Sequence, residues 1–212
     1  MSTTFVTTEP TIDAPTANLC YLLGRAFAQP DSFTGDEPGL LREALAASGQ
    51  DLDPEGSELA RQWEAALDAD PNVLLRDYAR LFLGPFEILA APYASFYLDP
   101  EQRLMGEVSQ AVAQRYAEAG LAPREDQPCD APDHIVNECE FLYYLAHQSL
   151  GSDDPARAAA LRQQFHSFAR EHLAQWLPKF SETILAVDDL HPFYTALARF
   201  AQRFTTQLQP TT

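Results

Sequence analysis

A capping acid with a proline just behind it is the recurrent punctuation of this chain, and it constrains the fold more than any other feature. Asp13 with Pro15, Asp70-Pro71, Asp99-Pro100 and Asp154-Pro155 each head a stretch in which apolar residues recur at spacings of three and four. In the first turn of a helix a proline gives up no bond, because that N–H has no acceptor, and the acid side chain satisfies the donors left free. Between these starts no window alternates apolar and polar residues for long, and the Asn-Gly and Asp-Gly pairs of tight hairpins are missing. The chain therefore reads as all-α, a single-domain bundle of about eight to ten helices. No fixed-period repeat and no composition shift divides it. The expected helical domain is 13–208, with a loose Thr-rich tail at 1–12 and a short one at 209–212.

Taken in order, the stripe Leu19, Leu22, Leu23, Ala26, Phe27 predicts a first helix ending before Pro30. A short helix is expected over 40–47 and another over 56–69 with Leu59, Trp63, Ala66 and Leu67 inward. The helix opened by Asp70-Pro71 runs to Leu83, where Gly84 and Pro85 stop it, and its apolar face is Leu74, Tyr78, Leu81 and Phe82. Residues 84–100 carry three prolines and only two charges, so this long apolar loop is either packed on the core or part of a binding surface. Asp99-Pro100 is expected to open a helix through Leu104, Met105, Val108, Val112 and Tyr116, closed by Gly120. Asp130 then caps a helix that carries Ile135, Cys139, Leu142 and Ala146 as one buried stripe and ends at Gly151. Asp154-Pro155 opens a long helix that stops at Pro178. A short helix near 180–187 follows, and the last one, after Pro192, turns Phe193, Leu197, Phe200 and Phe204 inward.

Charge and composition narrow the partners. Thirty-one acids against thirteen arginines and the single Lys179 give a formal charge of -17, which repels nucleic acid and attracts a basic peptide. Solubility, or a salt-rich host, would account for the same acidity. No uncharged apolar run of 18 residues is present and the N-terminus has neither a basic start nor an apolar segment, so the expectation is a cytoplasmic protein without membrane insertion. Cys20, Cys129 and Cys139 are odd in number and fit no C-x-x-C spacing, which points to reduced thiols.

Motifs that cradle phosphate or present a nucleophile (G-x-x-x-x-G-K-[ST], G-x-G-x-x-G, G-x-S-x-G) are missing, as is H-E-x-x-H. No cofactor or metal is expected. What stands out is Asp133, His134 and Glu138 at the start of the Asp130 helix. His134 and Glu138 are four apart and share a surface near the positive end of that helix. A cap with a stray ion pair explains them, and so does a recognition cluster for a cation.

Four blocks carry a resemblance: Y-A-R-L-F-L-G-P at 78–85, P-Y-A-S-F-Y-L at 92–98, P-D-H-I-V-N-E-C-E-F-L at 132–142 and H-L-A-Q-W-L-P-K-F at 172–180. Together they resemble the signature blocks of the TorD/DmsD family of molybdoenzyme maturation chaperones, over roughly residues 16–205. The resemblance implies an all-helical, non-enzymatic chaperone that binds the twin-arginine leader and the apo form of a molybdenum-cofactor oxidoreductase catalytic subunit, assisting cofactor insertion and proofreading export. A monomer or a domain-swapped dimer is the expectation for the assembly, because helical bundles with long connections can exchange elements between chains. Residue by residue it puts Asp133, His134 and Glu138 in the acidic group that reads the leader. The hydrophobic blocks around the groove supply Tyr78, Leu81, Phe82, Pro85, Phe86, Pro92, Tyr93, Ser95 and Phe96. Two positions depart from the family pattern: Leu74 stands where Glu is usual, and Cys139 where Leu is common. The competing readings are a nucleotide- or metal-dependent hydrolase using Asp133, His134 and Glu138, or an acidic adaptor for another basic partner.

Overall fold

The structure is a computed structural model, and it describes residues 12–49, 51–84, 88–122 and 130–208. Among these, ten α-helices follow in order: α1 Ala14–Phe27, α2 Glu37–Ser48, α3 Glu55–Leu67, α4 Pro71–Tyr78, α5 Ser95–Leu98, α6 Glu107–Glu118, α7 Ile135–Leu150, α8 Pro155–Phe168, α9 Ala174–Leu185 and α10 Pro192–Gln207. A 3-10 turn, Pro30–Ser32, follows α1, and wide π turns continue α4 (Ala79–Leu83) and α8 (Ala169–Leu173). No described residue belongs to a strand. No helix among the described residues is long and apolar enough to cross a membrane.

Three of the acid-and-proline starts behave as expected. The carboxylates of Asp13, Asp70 and Asp154 accept from the backbone N–H of Thr16, Asn72 and Ala156 at 2.8, 3.0 and 2.9 Å. Two other helices are capped by histidine: Nδ1 of His134 accepts from Val136 N at 3.3 Å, and Nδ1 of His191 from Phe193 N at 3.2 Å. Asp130 is therefore not the cap of α7, which begins four residues later than that reading places it.

Two further expectations are corrected. Asp99 does accept from Glu101 N at 2.9 Å, but Gln102 and Met105 take left-handed φ values of 52° and 59° and break the turn. Helix α6 starts only at Glu107, and Leu104 and Met105 are exposed rather than inward. Pro178 lies inside α9 instead of ending a helix. A proline ring strikes the carbonyl four residues back, here that of Ala174. The π turn ends just before this residue, whose ψ of -12° swings its carbonyl out of helical alignment. Leu67 is also corrected, since it sits at the surface while Leu59, Trp63 and Ala66 go inward.

The core forms where α1 lies along α7, and α10 against α9 and α3, with α2 bridging α1 and α3. Ile135, Cys139, Leu142 and Ala146 are fully buried, so the α7 stripe is as its spacing predicts. Cys20 and Cys139 are free, buried thiols, and burial pushes both well above the ordinary thiol range. Phe27, Phe82 and Phe180 meet ring to ring at 5.3–6.3 Å, which fixes the end of α1 against the α4 π turn and α9.

The close approach of α1 to α7 depends on Gly24. A Cβ there would lie 2.9 Å from the Cβ of Cys139. Gly24→Ala is expected to lose about 1–2 kcal/mol of stability, overpacking outweighing the roughly 1 kcal/mol that alanine gains in a helix. Gly39→Ala in α2, where nothing stands within 4 Å, should gain stability instead. Urea midpoints of the two variants check both signs; a stabilised Gly24→Ala would refute the close-packing account.

Candidate functional site

Two of the sequence blocks are fastened to each other. Pro92 O accepts from Ile135 N, and Asp133 O accepts from Ala94 N, both at 2.9 Å, making a single antiparallel bridge between Tyr93 and His134. The Asp133 side chain completes the clasp: Oδ2 accepts from Ser95 N at 2.9 Å at the start of α5, and Oδ1 accepts from the Ser109 hydroxyl at 2.6 Å in α6. Ser109 Oγ in turn accepts from Met105 N at 3.1 Å, which holds the strained turn before α6. One carboxylate thus joins the beginnings of three helices.

Glu138 does the equivalent work one turn further on. Its Oε1 accepts from His172 Nε2 at 2.6 Å and its Oε2 from Trp176 Nε1 at 2.9 Å, tying α7 to the π turn and to α9. Burial raises the Glu138 carboxyl above the usual carboxylate range, against the pull of its two donors. Burial opposes the charge on His172, but the adjoining carboxylate outweighs it and raises the imidazole above its ordinary value. The pair therefore keeps its proton to higher pH.

These positions overturn the expected surface cluster. Asp133 and Glu138 are each 0% exposed, and each oxygen of each carboxylate already has a partner inside the chain. A carboxylate that reads a guanidinium must be reachable from outside; these two are enclosed, with both oxygens engaged by internal donors. No group of three His, Cys, Asp or Glu among the described residues is arranged to hold a metal ion. Of the hydrophobic candidates, Leu81, Phe82 and Ser95 are core, Tyr78 and Pro92 are buried, and only Tyr93 and Phe96 are half-exposed. Pro85 and Phe86 lie outside the described residues.

What remains accessible is narrower. The rings of Tyr93 and Phe96 lie 6.4 Å apart, and Tyr93 meets the His134 ring edge-on at 5.0 Å. Asp130, exposed, stands beside them: after burial, its carboxylate is what raises the Tyr93 phenol, by charge and hydrogen bond. Burial lowers His134, though Asp130 and Asp133 pull the other way, and its Nδ1 must stay unprotonated to cap α7. The accessible arrangement is an aromatic surface with one exposed carboxylate, suited to a segment that carries a cation next to apolar residues.

Three contributors escaped the sequence reading. His172 and Trp176 were legible as an i, i+4 pair of ring N–H donors, a spacing that lets both reach one buried acceptor. Ser109 left no comparable signal. Leu74, where the family pattern usually has Glu, lines an apolar cleft beside α4.

The family described as nitrate reductase delta subunit matches residues 49–182, more than half of the chain. Among curated relatives, the chaperone protein TorD of Shewanella pealeana is 34% identical over 158 residues, 70% of this chain and 63% of that protein. TorD of Vibrio cholerae is 31% identical over 135 residues, 63% of this chain and 60% of that protein. The chain thus spans less than two thirds of the length of these relatives. A solved structure from Archaeoglobus fulgidus, described as that of a redox enzyme maturation protein, has the same fold, with a TM-score of 0.53 at 22% identity over 89% of this chain and 92% of that one. The signature blocks are thus assembled in the fold of that solved structure, and the protein belongs to the TorD family of chaperones.

Proposed function

We propose that this protein is a cytoplasmic chaperone that binds the leader, and with it the unfinished catalytic subunit, of a molybdenum-cofactor oxidoreductase. Family membership supports the class of partner. The observation that carries the mode of binding is the half-exposed Tyr93–Phe96 pair, edged by His134 and flanked by the exposed carboxylate of Asp130. A leader with two adjacent arginines ahead of an apolar stretch complements that surface: the carboxylate orients and speeds the approach, and the rings supply most of the affinity. The acidity of the whole chain works in the same direction. A hydrolase built on Asp133, His134 and Glu138 loses its support, because both carboxylates are internal ties and His134 is a cap.

Fluorescence anisotropy with a labelled peptide of that composition tests the reading. Tyr93→Ala and Phe96→Ala should each weaken binding by about fivefold or more, the loss of roughly 1 kcal/mol expected at an aromatic anchor, with the unfolding midpoint little changed. Asp130→Asn should mainly slow association and flatten its dependence on salt. Wild-type affinity in all three variants would sink the assignment of this surface.

A further inference from the structure

We infer that the cleft between the Pro30–Ser32 turn, the end of α3 and the start of α4 seats one apolar side chain of the bound leader, with Asp31 at its mouth facing a cation on the same segment. This rests on the leader-binding reading and adds a second contact outside the Tyr93 surface. The cleft measures about 120 Å³ and is walled by Pro30, Phe33, Leu67, Leu74 and Leu75, with Asp31 its one charged lining residue. A cavity of about 150 Å³ lined by such side chains admits a benzene-sized group, so this one has the capacity for a leucine or for most of a phenylalanine ring.

The walls are firm. Leu74 is buried, and the Phe33 ring rests on Trp63 at 5.1 Å and Phe193 at 5.9 Å, so neither of these two walls can swing in to fill the space. Charge selects the occupant. Asp31 is exposed at the rim, Asp68 and Asp70 follow Leu67 directly and are exposed too, and no cationic side chain lines the cleft. An apolar group carried by an acidic segment is repelled there, and one carried by a basic segment is drawn in. The position also fits a shared ligand. Leu74 and Leu75 lie one turn before Tyr78 on α4, and the Tyr78 phenol is pushed up to about 12, by burial first and then by Asp130, Tyr93 and Asp31. One exposed carboxylate from the cleft and one from the Tyr93 surface thus both act on the same tyrosine.

The test uses the full chain and two labelled peptides, one with an Arg-Arg pair followed by an apolar stretch and one in which serines replace that stretch. Ala66→Met fills the cleft from its floor, and Leu67→Asp spoils its rim at an exposed position that folding tolerates. Both should weaken the apolar peptide at least fivefold and leave the weaker binding of the serine peptide unchanged. Asp31→Asn should weaken both peptides two- to fivefold and reduce their salt dependence. Wild-type affinity in Leu67→Asp and in folded Ala66→Met, with Tyr93→Ala impaired, would overturn the cleft and leave the leader reading standing. No binding of either peptide by wild type would overturn both. A dimer that Leu67→Asp dissociates without altering peptide affinity would assign the cleft to self-association and overturn the proposal.

Discussion

Replacing Glu138 with alanine is expected to lower folding stability by about 3–5 kcal/mol, the range for removing one partner of a buried charge pair. The loss has three parts: the buried His172 ring loses the carboxylate that held its proton, the Trp176 N–H is left without an acceptor, and a void opens between α7 and α9. Glu138→Gln keeps the volume and an acceptor for Trp176, so it should lose less, and it isolates the charge. His172 has a raised value in the folded state, so the folded protein binds that proton more tightly. Its contribution is whole below the ordinary 6.5 and is lost as pH rises through the raised value. Glu138, raised from 4.5 by burial, has the same sign: its contribution is present below 4.5 and is lost upward from there. His134 and His191, both lowered chiefly by burial, act oppositely, contributing fully above 6.5 and losing that as pH falls through their lowered values. Stability in urea from pH 4.5 to 9 should therefore fall on both sides. Glu138→Gln should abolish the alkaline fall and His191→Asn should blunt the acid one. An alkaline limb that survives in Glu138→Gln would show that the dyad is not its source.

The helix starts were legible where the acid and the proline act locally, as at Asp13, Asp70 and Asp154, because capping needs only the next two or three residues. The same grammar misled at Asp99, where two left-handed residues intervene. It misled again at Pro178, where a wide turn upstream absorbs the clash. The candidate site was legible as a set of blocks but not as geometry. Spacing on one helix brings His134 and Glu138 together; tertiary packing separates them, turning His134 toward Tyr93 and Glu138 toward His172 and Trp176, more than thirty residues away. A buried carboxylate requires distant donors, and nothing within a helical turn of Asp133 names Ser95 or Ser109. Residues that a resemblance marks for recognition can therefore be those that hold the recognising surface in shape.

Asp133 allows the two roles to be separated. Asp133→Ala should cost about 3 kcal/mol or more, since hydrogen bonds to a charged group contribute about 1.5–3 kcal/mol each and two buried donors would lose their acceptor. The loss should spread, because the same carboxylate fixes the starts of α5, α6 and α7 and, through Ser109, the turn at Met105. Asp133→Asn should be far milder, at about 1 kcal/mol. Its oxygen can still accept from Ser95 N, and the Ser109 hydroxyl can rotate to accept from the new amide. A recognition role predicts no such difference between the two. An asparagine that has lost its charge would bind an arginine-bearing leader nearly as poorly as alanine, while both variants would fold like wild type. Calorimetric leader affinity measured beside urea unfolding distinguishes the two. A stable, fully folded Asp133→Ala that cannot bind the leader would refute the clasp and return Asp133 to the recognition surface. A destabilised Asp133→Ala beside an Asp133→Asn that binds normally would establish that the charge is spent inside the protein, on holding Tyr93 and His134 in register for a ligand that Asp130 meets first.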